Sequence, residues 1–120
     1  MNKAMALLAA AAFTGAVIPQ AAWAADDGKN RVVVLENLSS QAIYNLFASP
    51  ITSKNWEEDL LGDRTVAAGE SLRANIDNGT NECIYDLKVV MANGKEHIQR
   101  EVNVCAASKW AIGDTGNSIQ

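Results

Sequence analysis

The stretch Cys83–Cys105, CIYDLKVVMANGKEHIQREVNVC, constrains this chain more than any other. It holds both cysteines, one at each open end of two strand-like runs that meet at Asn93-Gly94. Asn-Gly between alternating runs predicts a β-hairpin, because a type I′ turn needs positive φ at both central residues. On the first strand Cys83, Tyr85, Leu87, Val89 and Met91 share one face, with Asp86 and Lys88 on the other. On the return strand Ile98, Val102 and Val104 share a face against Gln99, Glu101 and Asn103. A two-residue loop sets Ala92 opposite Lys95, Val89 opposite Ile98 and Tyr85 opposite Val102, which unites the apolar faces. It also sets Cys83 opposite Val104 and sends Cys105 to the other face. A Cys83–Cys105 disulfide then requires a bulge near Asn103, or a chain that leaves the ladder at Val104.

Residues 1–24 read as a cleavable secretory signal. Lys3 gives a positive start, Met5 to Ile18 is an Ala- and Leu-rich run, and Ala22-Trp23-Ala24 carries small residues at the cleavage site. The apolar run is too short to span a bilayer as a helix. The expectation is cleavage after Ala24, a periplasmic or secreted protein, and no membrane insertion thereafter. With an even count in an oxidising compartment, the two cysteines point to a structural disulfide rather than a redox or metal site.

The mature chain then runs from 25 to 120 as one domain. Removing Lys3 from the 10 Lys and Arg leaves nine cations against 14 Asp and Glu, a formal charge of −5. Such a chain has no basic footprint for nucleic acid.

Arg31 to Leu35 is a dense β-branched run that suits a strand near a sheet centre. Ala42 to Ala48 is apolar on both faces and also reads as central. Arg64 to Ala67 and Ser71 to Ile76 read as further strands, the latter half-buried through Leu72, Ala74 and Ile76. Lys109 to Ile112 reads as a last short strand, and 113–120 as a flexible tail. Ile51 to Gly62 has helical character: Asn55 and Glu58 form a capping box, and Trp56 and Leu60 share a face. The fold class expected is all-β, a small antiparallel sandwich of about seven strands over 25–112 with one short helix in the Ile51–Gly62 connection.

Asn37-Leu38-Ser39 with Ile43-Tyr44, Ser49-Pro50, Trp56 with Leu60-Leu61-Gly62, Gly69-Glu70-Ser71, Cys83-Ile84-Tyr85-Asp86-Leu87 and Asn93-Gly94 together resemble a family of small exported bacterial β domains. The resemblance spans about residues 32–105 and implies a β fold, with no activity attached.

Catalysis finds no constellation here. His97 is the single histidine, and the register above puts it on the polar face beside Gln99, without a partner for general-base work. Asp86 and Glu101 are placed to pair across the hairpin with Lys88 or Arg100. Arg100 itself falls opposite Leu87, where it either snorkels out or meets Glu36. The acidic runs Glu57-Glu58-Asp59 with Asp63, and Asp77-Asn78 with Asn81-Glu82, carry hard oxygen ligands, but capping and turn chemistry explain both without a metal. No cofactor is expected. Binding remains, with Trp56, Glu57, Glu58 and Asp59 as the candidate contact residues and Tyr44 and Trp110 as further aromatics; the bland role for Trp56 is to plug the open end of the sandwich. The function expected is a non-enzymatic interaction module for a protein or cell-envelope component. The alternative is a small inhibitor or immunity-type protein that blocks an enzyme.

Overall fold

The computed structural model describes residues 27–106 and 109–120; the expected signal segment 1–24 lies outside them. Among the described residues seven strands follow one another: β1 Val32–Asn37, β2 Ile43–Pro50, β3 Ser71–Asn75, β4 Ile84–Met91, β5 Glu96–Asn103, β6 Lys109–Ile112 and β7 Asn117–Ile119. They form two sheets, one ordered β3-β1-β6-β7 and the other β2-β4-β5. The sheets enclose one core, in which Leu35, Ile43, Leu46, Tyr85, Leu87, Val89, Val104, Trp110 and Ile112 are all buried.

The β-branched run forms β1 and lies inside its sheet, as its composition implies. Val33 and Leu35 point into the core, where each buried aliphatic side chain contributes about 1.5–3 kcal/mol. One neighbour, β3, is antiparallel, but the other, β6, is parallel, pairing Leu35 with Trp110. The sandwich is therefore mixed rather than purely antiparallel. Parallel neighbours need a long crossover, and here the whole second sheet supplies it.

The expected helix is absent: no described residue is helical. The segment 51–62 instead crosses the free edge of β2, because its polar groups find partners there rather than four residues back. Asp59 Oδ1 accepts from the N–H groups of Leu46 and Leu61, both at 3.0 Å, and its Oδ2 accepts from Asn45 Nδ2 at 2.7 Å. The Leu60 N–H donates to the Leu46 carbonyl at 2.8 Å. A short helix is marginal unless it docks, and satisfying an open sheet edge outweighs it. The strand expected over 64–67 reduces to one bridge, Val66 with Ile43, which closes the same edge.

Edge position also corrects β2, which is not central. Its apolar residues fit one inner face only because the register slips between Ile43 and Asn45. Ile43, Leu46 and Ala48 consequently all face the core, while Tyr44 is 50% exposed.

The hairpin closes through three residues rather than two. Met91 N–H donates to the Lys95 carbonyl at 2.8 Å, and Gly94 sits in the left-handed region at φ 86°. The pairing moves one step, so Val89 faces His97 and Lys88 faces Ile98. His97 is accordingly buried at 6% exposure, and Ile98 is turned outward. A second irregularity opposite Asp86 then inserts an extra residue at Arg100-Glu101, with Glu101 at φ 55°. The two slips cancel, and Tyr85 faces Val102 as the pattern demands. β5 ends at Asn103; Val104 still donates to the Cys83 carbonyl at 2.8 Å, and the chain turns away. That departure brings the Cys83 and Cys105 Cα atoms to 5.4 Å, and the disulfide forms. By the chain-entropy account, a loop of this length contributes about 3 kcal/mol.

The 113–120 tail is not frayed. Gly113 N–H donates to the Gly116 carbonyl at 2.7 Å, and β7 returns along β6, with Ile119 opposite Trp110. Asn117 Oδ1 accepts from Trp110 Nε1 at 2.8 Å and from Gln99 Nε2 at 2.7 Å, which ties the tail to both sheets.

Candidate functional site

The connection from β2 to β3 runs along one flank of the sandwich, between edge strands β2 and β3. Two clefts open there. The larger encloses about 680 Å³ over a floor of Ala48, Leu60 and Ile76, with Glu57 and Glu58 exposed beside it and the largely buried Asp77 in its wall. That volume falls within the usual range of ligand sites, about 300–1,000 Å³. The second, about 240 Å³, shares Leu60 with the first and is lined by Leu46, Leu72, Arg64 and Arg73. One flank therefore carries an acidic cleft and a basic cleft with a leucine common to both.

The sequence-derived residues separate in the structure. Glu57 and Glu58 are exposed on the acidic cleft, and Asn78 Nδ2 reaches Glu57 Oε1 at 3.5 Å. Asp59 is turned inward to hold the connection on β2. Burial acts to raise its pKa, but the bonds from Leu46, Asn45 and Leu61 outweigh that and keep its carboxyl below the ordinary value. It anchors the connection to β2.

Trp56 lies elsewhere. It folds onto the outer face of the three-stranded sheet and is half-buried, so it does not plug the open end of the sandwich. The Lys88 ammonium is sandwiched between its ring and that of Phe47, 4.9 and 5.1 Å from their centroids. The Arg100 guanidinium stacks on Trp56 at 5.7 Å while pairing with Asp86 at 3.0 Å. Arg100 thus faces outward and does not approach Glu36, which pairs with Lys109 at 3.8 Å. Of the other aromatics among the described residues, Trp110 is buried and Tyr44 is 50% exposed.

Two groups behind the clefts were not legible as site elements. Arg31, read as the opening of a strand, is 1% exposed. Its guanidinium grips Asp27 with two bonds of 2.6 and 3.0 Å, lies 3.8 Å from Asp77, and donates from Nε to the Glu82 carbonyl at 2.6 Å. The Arg31 bond holds the Asp27 carboxyl well below the usual range. The loop over 77–82 is set by turn bonds, with Asn78 Oδ1 accepting from Thr80 Oγ1 at 2.7 Å and from the Tyr85 hydroxyl at 2.9 Å. Arg64 and Arg73 also went unread, since single arginines in polar positions carry no sequence signal for a shared cleft.

Fold and flank together define a small, disulfide-stapled, two-sheet β domain with two charged clefts on one flank. No protein-family model and no curated protein sequence matches the chain. The fold is similar to the NMR structure of a protein from Eubacterium rectale, with a TM-score of 0.53 at 12% identity, over 80% of this chain and 93% of that one. At that identity the likeness is one of architecture. Among the described residues no helix is long and apolar enough to cross a membrane.

Proposed function

We propose that this protein is an exported, non-enzymatic interaction module that engages its partner along the flank formed by the 51–66 connection. The observation that carries the reading is the placement of Glu57 and Glu58, exposed, over the apolar floor of the larger cleft. Long connections in compact domains usually serve function or packing, and this one does both: Asp59 fixes it to β2 and frees its neighbours to face outward.

A photo-crosslinking side chain at position 58, expressed in cells of the source organism, tests the reading against the same group at position 118 on the opposite edge strand. A discrete adduct from position 58 that is absent from position 118 is the expected result. No adduct at 58, or identical adducts from both positions, overturns it.

A further inference from the structure

The two clefts share Leu60, and they also share β2: Ala48 lines the acidic cleft and Leu46 the basic one. Two residues apart on one face of a strand, these side chains sit about 7 Å from each other. The two clefts are therefore neighbours along β2, with carboxylates at one and guanidinium groups at the other. Among the described residues, none of Glu57, Glu58, Arg64 and Arg73 takes part in an ion pair.

Resting on the reading above, we infer that the clefts form one dipolar groove that receives an extended segment of a partner protein carrying a basic side chain and, two to four residues away, an acidic one. Opposite unpaired charges at neighbouring clefts are complementary to a segment with both signs, whereas a purely basic or purely acidic segment would meet repulsion at one end. Aliphatic stems of lysine or glutamate would cover Ala48, Leu60 and Leu46 while their charged ends reach the rims. Strand addition along β2 is not the mode of binding. Over Ile43–Leu46 its edge is already engaged, through Leu60 N–H to the Leu46 carbonyl and through the Ile43–Val66 bridge. Recognition then falls to side chains rather than to main-chain bonds.

NMR titration of the 15N-labelled protein tests this with a capped peptide, Gly-Ser-Lys-Ala-Glu-Ser-Gly, at up to millimolar concentration. The comparison peptides carry acetyl-lysine for lysine, or glutamine for glutamate. Expected are shifts at Leu60 and at residues of both clefts, with binding weakened roughly fivefold by either neutralisation and also weakened between about 50 and about 500 mM salt. The exposed substitutions Glu58→Lys and Arg73→Glu should each reproduce the loss with the thermal unfolding midpoint unchanged. Affinity that is indifferent to the peptide's glutamate, or no shift in either cleft, overturns the dipolar groove. An adduct at position 58 alongside that outcome leaves the interaction module standing. Peptide binding without any cellular adduct removes the module and keeps the groove.

Discussion

The Asp59 carboxylate accepts the Leu46 N–H at 3.0 Å, a side chain doing at a sheet edge what a neighbouring strand would otherwise do. The bond joins the connection to the core in one contact, since Leu46 is 2% exposed. Replacing Asp59 by Ala orphans the N–H groups of Leu46 and Leu61, and the expected cost is about 2–3 kcal/mol in denaturant unfolding. Hydrogen exchange at Leu46 should quicken in the same variant. The pH dependence has a definite sign. Because the folded-state pKa lies below the unfolded value of 3.8, the contribution is fully present above that value and is lost as pH falls through the folded pKa.

Glu101 occupies the left-handed region at φ 55°, and no other non-glycine described residue has positive φ. Its N–H donates to Asp86 Oδ1 at 2.9 Å, and its side chain is exposed. Glu101→Gly removes a steric cost without touching that bond, so it should stabilise the fold by about 0.5–1 kcal/mol. A lower thermal midpoint for this variant would contradict the account.

His97 makes a second pH prediction. Burial lowers its pKa, and Lys95 adds to the shift, so the native state favours the neutral ring. Stability from this group is present above the unfolded value of 6.5 and declines as pH falls through the folded pKa. Unfolding curves from pH 7.5 to 4.5 should show that decline, and His97→Met should flatten it. A decline of equal slope in the variant would assign the effect to the carboxylates.

Trp56→Ala should cost about 1–2 kcal/mol, because it removes a half-buried ring and its contacts with Lys88 and Arg100. Full burial would make the loss about 3–5 kcal/mol. Since the ring lies on the outer sheet face, peptide binding at the flank should change less than about twofold. Loss of binding with stability intact would move the contact surface to Trp56.

What could be read in advance follows the range of the interactions. Alternation in 83–91 and the β-branched run at 32–35 declare their faces locally, and the two cysteines declare their bond. Asn93-Gly94 marks a tight turn, but Gly94 serves a two-residue or a three-residue loop equally well, and that one step decides whether His97 or Ile98 is buried. The helix expected over 51–62 is absent because polar side chains that suit a helix start are neutral about their partners: Asp59, beside the expected capping residue Glu58, finds Leu46 thirteen positions back instead of a helical amide. Glu57 and Glu58 stood out by charge density. The two clefts were invisible, because their walls are assembled from β2, the connection and the region of β3, and Arg64 and Arg73 acquire meaning only beside Leu60.

The parallel pairing of Leu35 with Trp110 has a consequence in time. A chain that emerges N-terminus first makes β1 early, gains β3 soon after, and must then wait for nearly everything else before β6 arrives. Until then one side of the most aliphatic strand remains open, and an open strand edge can pair with another copy of the chain. Such late, distant closure is also slow. The last dozen residues are thus the closing step of the fold. A chain truncated before Lys109 should retain the stapled hairpin yet accumulate as aggregates rather than as monomer.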